Sequence, residues 1–147
     1  MMRSLSLPLT LFFVVALLIP AGCGAKGDPR PNPRRQPAAC AVSATSLRTI
    51  KVVLPTMDTQ GYRLSGIEAI RIYYLSLSNK FPSPLDVFQS GEAVMEQRHP
   101  NLPRPGKTIT FDLSNFGRPS GWLVVVPWVG NSPGVPSQVL PWVDPTF

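Results

Sequence analysis

The chain has 147 residues, of which only 15% are charged, and 18 are proline. So few charges exclude a charged disordered tail, and so much proline excludes a helical bundle. The formal net charge is +6, and the length fits one modest globular domain once an N-terminal leader is set aside.

The leader comes first. Arg3 and the free amino group give a short positive start, and Leu11 to Ala21 is an unbroken apolar run. That run lies within the ~7–15 residues of an export-signal core and falls short of the ~20 needed to span a bilayer. Ala21 and Gly22 are small enough for a peptidase to approach the bond before Cys23. The segment Ile19-Pro20-Ala21-Gly22-Cys23 resembles a bacterial lipoprotein signal, which implies cleavage after Gly22 and lipidation of Cys23 by a diacylglyceryl and a palmitate-like acyl group. An uncleaved anchor and plain secretion are the alternatives.

The next residues, Cys23-Gly24-Ala25-Lys26-Gly27-Asp28-Pro29, resemble the C-G-x-K-G-x-P opening of bacterial envelope lipoproteins. A very small enterobacterial outer-membrane lipoprotein that assists assembly of the lipopolysaccharide-transport translocon opens in the same way. Gly24 stands where an inner-membrane retention signal typically has Asp. The resemblance therefore implies an outer-membrane lipoprotein facing the periplasm, held to the bilayer through acylated Cys23.

Residues 23–41 form the expected linker. Pro29, Pro31, Pro33 and Pro37 bias it to polyproline II, which at ~3.1 Å per residue would hold a domain up to ~50 Å from the membrane. Lys26, Arg30, Arg34 and Arg35 outnumber Asp28 here. This excess reads either as attraction to anionic headgroups or wall polymers, or as a solvated spacer. With Cys23 lipidated, Cys40 is the one remaining thiol, expected to be buried or idle; without lipidation a Cys23–Cys40 bridge is the alternative.

From Val42 to Phe147 short apolar runs alternate with turn residues, the sign of an all-β domain. Strands are expected at Val42 to Leu47 and at Thr49 to Leu54, the second stopped by Pro55. Met57 to Gly61 is a turn. Ile67 to Ser78 is the clearest strand, with Ile70, Ile72 and Tyr74 on one face and Arg71, Tyr73 and Leu75 on the other. Lys80 to Gly106 is loop-rich, with one edge strand near Val87 or Val94 and a short helix over Gly91 to Gln97 as the sole helical candidate. Further strands follow at Lys107 to Leu113, Gly121 to Val129 and Gln138 to Val143, with a turn over Pro133 to Pro136.

Val52-Val53-Leu54-Pro55 with Asp58 and Gly61 resembles the second strand of a fibronectin type III domain and its following turn. Ile70-Arg71-Ile72-Tyr73-Tyr74 is similar to its third strand, Trp122 to Val126 to its sixth, and Gly134-Val135-Pro136-Ser137 to the turn before its last. The resemblance implies an immunoglobulin-like β-sandwich. Leu54 stands where that family carries a core Trp, and Pro127 predicts a bulge or an early exit in the sixth strand.

Catalytic side chains are not grouped anywhere in the chain. His99 sits in a proline-flanked loop with no ligand at metal spacing. No carboxylate pair, nucleophile motif or phosphate-cradling loop appears. The expectation is a non-enzyme without metal or cofactor, and without nucleic acid as a partner. Tyr73, Trp128 and Trp142 are the candidate binding aromatics, set against the alternative that they fill the core. The sequence thus points to a membrane-anchored binding or scaffold module in the cell envelope, contacting another envelope protein or wall polymer. The alternatives are an accessory of outer-membrane assembly acting through its lipidated N-terminus, and a carbohydrate-binding module.

Overall fold

A computed structural model of the chain describes residues 36–146. The signal, Gly22 and Cys23 lie outside the described residues, as does most of the linker. The elements in chain order are β1 (Ala41–Ser46), β2 (Thr49–Val53), β3 (Ala69–Ser76), α1 (Pro84–Ser90), β4 (Glu92–Arg98), β5 (Thr108–Asp112), β6 (Gly121–Val129), β7 (Ser132–Pro133) and β8 (Leu140–Trp142).

Alternation dictates the strands. In β2 and β5, Ile50, Val52, Ile109 and Phe111 are buried while Lys51, Thr108, Thr110 and Asp112 face solvent, so each strand offers one apolar face. The pairing Ile50↔Phe111 and Val52↔Ile109 keeps these side chains in register. β1, β2 and β5 make one antiparallel sheet; β4, β3 and β6 make the other, with β7 and β8 both on the far side of β6. The inner faces enclose a core that includes Val42, Leu54, Ile70, Ile72, Leu123 and Val125. Leu54 is 1% exposed, so it does fill the core position.

Because β4 pairs with β3 rather than joining the β1-β2-β5 sheet, the fourth strand has crossed to the opposite layer from its place in a constant-type immunoglobulin domain. The fold is an immunoglobulin-like, fibronectin type III-like β-sandwich.

One end of the core is closed by aromatic rings. Phe116 lies edge-on between Tyr74 and Trp142, with centroids 5.6 Å and 5.0 Å away. The Tyr74 hydroxyl donates to the Pro119 carbonyl at 3.0 Å, and the Trp142 indole N–H donates to the Arg118 carbonyl at 2.8 Å. Both polar tips are thereby satisfied where the rings are buried.

Three expectations need correction. The helix is not at Gly91 to Gln97. Ser83 caps α1 through a reciprocal capping box with Asp86, Pro84 sits in the first turn and Val87 is fully buried. Residues 92–98 have helix-forming composition, yet they pair with β3 from Ala69↔Arg98 to Tyr74↔Glu92 across one bulge. Pairing with a buried strand has overridden local propensity.

The linker also ends earlier than residue 41. Pro37 is fully buried and bridges Asp58. The Ala38 N–H donates to the Met57 carbonyl, the Thr59 N–H donates to the Gln36 carbonyl, and Cys40 is in the core. Gln36 to Ala41 therefore belong to the sandwich.

Pro127 neither bulges β6 nor ends it. β6 pairs with β3 without a shift from Ala69↔Trp128 to Ser76↔Gly121. The carbonyls of Val125 and Pro127 accept from Ser137 and Gly134, so the position of the missing Pro127 N–H faces away from β3. The absent donor costs the β3–β6 ladder nothing.

The polypeptide enters and leaves at opposite poles. Ala41 lies beside Val53, which lies beside Thr108; Trp142 lies beside Gly121, which lies beside Ser76.

Candidate functional site

The two outer faces of the sandwich differ in chemistry. On the β1-β2-β5 sheet, Ser43, Thr45, Lys51, Thr108 and Thr110 are exposed, a polar solvated surface. On the other sheet, β6 presents Trp122, Val124, Val126 and Trp128 outward while Leu123 and Val125 point to the core. A strand apolar on both faces must be covered on both. Helix α1 provides part of the cover: Val87 joins Tyr73, Val124 and Val126 in a second buried cluster.

Aromatic rings continue outward from that cluster. Tyr73 meets Phe88 edge-on at 4.9 Å, and Phe88 lies 6.5 Å from Trp128. Phe81 meets Trp122 at 4.7 Å. The Arg71 guanidinium lies 4.3 Å over the Trp128 ring, a cation–π geometry. Arg71 also pairs with Glu96, as does Arg98. The hydrogen bond from Arg98, and then that from Arg71, hold the Glu96 carboxyl below its usual range.

The cover is incomplete. Phe81, packed on Trp122, remains 66% exposed, and Leu77 after β3 and Leu85 on α1 are 58% and 51% exposed. The indole N–H groups of Trp122 and Trp128 are withdrawn from solvent without a hydrogen-bond partner among the described residues. Exposed large apolar side chains next to a half-buried indole are the composition of a contact surface.

The nominated aromatics separate. Trp128 stands on this face, half-buried. Tyr73 is 9% exposed beneath α1, and Trp142 is 4% exposed in the core. Neither Tyr73 nor Trp142 is a surface side chain, because each alternates to a face that another element covers. Trp122, with Phe81 packed on it, and Phe88 near Trp128 belong to this face and were missed. The available signal was the apolar residue at every second position from Trp122 to Trp128.

His99 is exposed, and its backbone N–H donates to the Glu68 carbonyl. Among the described residues, no group of three or more His, Cys, Asp or Glu is placed to hold a metal ion. Cys40 is buried with a free thiol, which burial pushes up to about 12.

No protein-family model matches this chain, and no curated protein does. A solved structure of titin kinase and its flanking domains is similar over 76% of this chain and 17% of its own length. The identity is 14% and the TM-score 0.39. Among the described residues, no helix is long and apolar enough to cross a membrane.

Proposed function

We propose that this chain is a non-catalytic lipoprotein of the bacterial cell envelope. In this reading Cys23 is lipidated after cleavage behind Gly22, and the sandwich is a binding or scaffold module held at the outer membrane on its periplasmic side. The partner is another envelope protein or a wall polymer. The observation that carries the binding role is the exposed apolar set Leu77, Phe81 and Leu85, of which Phe81 packs on half-buried Trp122, a rim left open to solvent. A solitary domain gains nothing from such a rim, whereas a partner would bury it. The signal and the C-G-x-K-G-x-P opening support the anchor.

Two measurements test the two halves of this reading. Intact-mass analysis of membrane-extracted protein should give Cys23–Phe147 plus diacylglyceryl and acyl groups, and the Cys23→Ser chain should lack both. Retention of Met1 in the wild type would remove the anchor. A photo-cross-linking residue at Phe81 should capture a defined envelope component, while one at Thr110 on the polar sheet should not. Equal labelling from both positions would remove the assigned face. Full activity from a chain shortened to residues 1–33 would favour the assembly-accessory alternative.

A further inference from the structure

Most edges of the two sheets are blunted against foreign strands. At β1 the outward carbonyl of Val42 takes the Gln138 amide, and the register shifts between Ala44 and Ser46. β4 carries Glu92, Glu96 and Arg98 and meets β3 across a bulge. Beyond β6 lie only β7, two residues long with Pro133, and β8, three residues long with Pro141. Short strands, charges, prolines and bulges are the features that stop edge-to-edge pairing.

β5 is the exception. It pairs with β2 from Thr108 to Asp112 without a shift, and among the described residues no strand lies along its other edge. The ladder decides which groups point there. The Leu54 N–H donates to the Lys107 carbonyl, and the Leu113 N–H donates to the Arg48 carbonyl. Residues 107, 109, 111 and 113 therefore turn their backbone groups to β2, and Thr108, Thr110 and Asp112 turn theirs outward. The side chains of these three are exposed, and none is proline or lysine.

This edge is complementary to itself. A second β5, run antiparallel about a two-fold axis at Thr110, sets Thr110 against its own copy and Thr108 against the second copy's Asp112. Each facing pair can exchange two backbone hydrogen bonds. Each Thr108 hydroxyl lies opposite a carboxylate, and the two Asp112 carboxylates stand about 14 Å apart. An axis at Asp112 would instead bring like charges face to face. The two-fold arrangement closes, and the blunted β1 then ends the joined sheet on both sides.

The expected tether tolerates this pairing. An antiparallel pair puts the two entry poles about 30 Å apart, the length of a nine-residue strand such as β6. Thirteen peptide steps separate Gln36 from Cys23, at most ~45 Å of chain, so both lipids can reach one bilayer. A five-residue ladder is small for a free dimer, and holding both chains on one membrane raises their effective concentration.

We propose that β5 is a self-association edge, through which two copies of this chain join into one continuous antiparallel sheet centred on Thr110. Its strength at a membrane rests on the anchor proposed above; the pairing itself does not.

The test uses the full mature protein in detergent micelles and in lipid vesicles, with its lipid state read by intact mass. A photo-cross-linking residue at Thr110 should give a product of twice the chain mass, joined within residues 108–112 of the second copy. That product is distinct from the envelope component expected at Phe81. Sedimentation equilibrium in micelles then gives the dimer's dissociation constant. Thr110→Pro removes an N–H that faces away from β2, so it should weaken the dimer at least about tenfold at nearly unchanged Tm. Thr108→Lys, opposite a carboxylate, should tighten the dimer about threefold, and Thr108→Glu should weaken it by about as much. The Thr108 variants decide the matter should Thr110→Pro fold poorly. Equal effects of lysine and glutamate, or a monomer in both micelles and vesicles, overturn the proposal. So does a position-110 product of single-chain mass, which would put the chain's own linker on this edge, or one containing another protein. A dimer with the expected charge dependence, formed by protein without lipid, would leave the edge standing and remove the anchor.

Discussion

Ser137 is fully buried, and its hydroxyl serves two backbone groups that no strand reaches. It accepts the Val125 N–H at 2.9 Å and donates to the Gln138 carbonyl at 2.9 Å. Ser137→Ala would leave the Val125 N–H buried and unpaired, at a cost of about 1–3 kcal/mol. A lower denaturant midpoint at unchanged slope checks this. Cys40 behaves differently, since burial alone sets its chemistry. Its folded pKa stands above the ordinary thiol value, so its contribution to stability is complete below pH 9.0 and is lost as pH rises toward about 12. Wild-type stability should therefore fall more steeply across that interval than that of Cys40→Ala. Iodoacetamide should label Cys40 only after unfolding. Rapid labelling of the folded chain would contradict its burial.

Helix α1 depends on its first turn. Asp86 donates its N–H to the Ser83 hydroxyl at 3.2 Å, and the Ser83 N–H donates to the Asp86 carboxylate at 2.8 Å. Ser83→Ala should cost about 1 kcal/mol. The Ser83 hydroxyl, then its N–H, holds the Asp86 carboxyl below the ordinary value. The contribution of the capping box is thus present above the ordinary carboxylate range and is lost as pH falls through the depressed folded value. Ser83→Ala should accordingly flatten the acid limb of the stability profile. At the other end of α1, a Cβ on Gly91 would run into the carbonyl oxygens of Val87 and Tyr74. Gly91→Ala should destabilise by about 1–3 kcal/mol, since backbone must move to admit it. Equilibrium unfolding of both variants decides these points.

The strands were legible because period-two alternation survives in β2, β3 and β5, where one set of residues faces the main core, and because β6 is a continuous apolar run. The helix was not, because Glu92 to Arg98 has helical composition and only its pairing with β3 makes it a strand. Trp142 could have been placed: Leu140 and Trp142 alternate inward together in the last strand. Tyr73 could not, because what covers it is α1, brought there by a loop with no periodicity of its own.

The whole domain has one polar face and one apolar face, and this difference separates association from stability. Leu77→Ser with Leu85→Ser should abolish cross-linking from position 81 to the envelope partner while leaving Tm nearly unchanged, since both side chains are more than half exposed. A large fall in Tm would mean that they belong to the fold instead. The uncharged edge of β1 is shielded where the Gln138 amide donates to the Val42 carbonyl at 3.0 Å, which occupies an acceptor that a foreign strand would need. Entry and exit at opposite poles have a mechanical consequence. A pull between Gln36 and Thr146 acts along the strands, so the β1–β2 and β6–β8 ladders are loaded in shear and several bonds must break together. Were both ends at one pole, the same pull would unzip them singly. A sandwich strung in this direction transmits tension along its length before it yields.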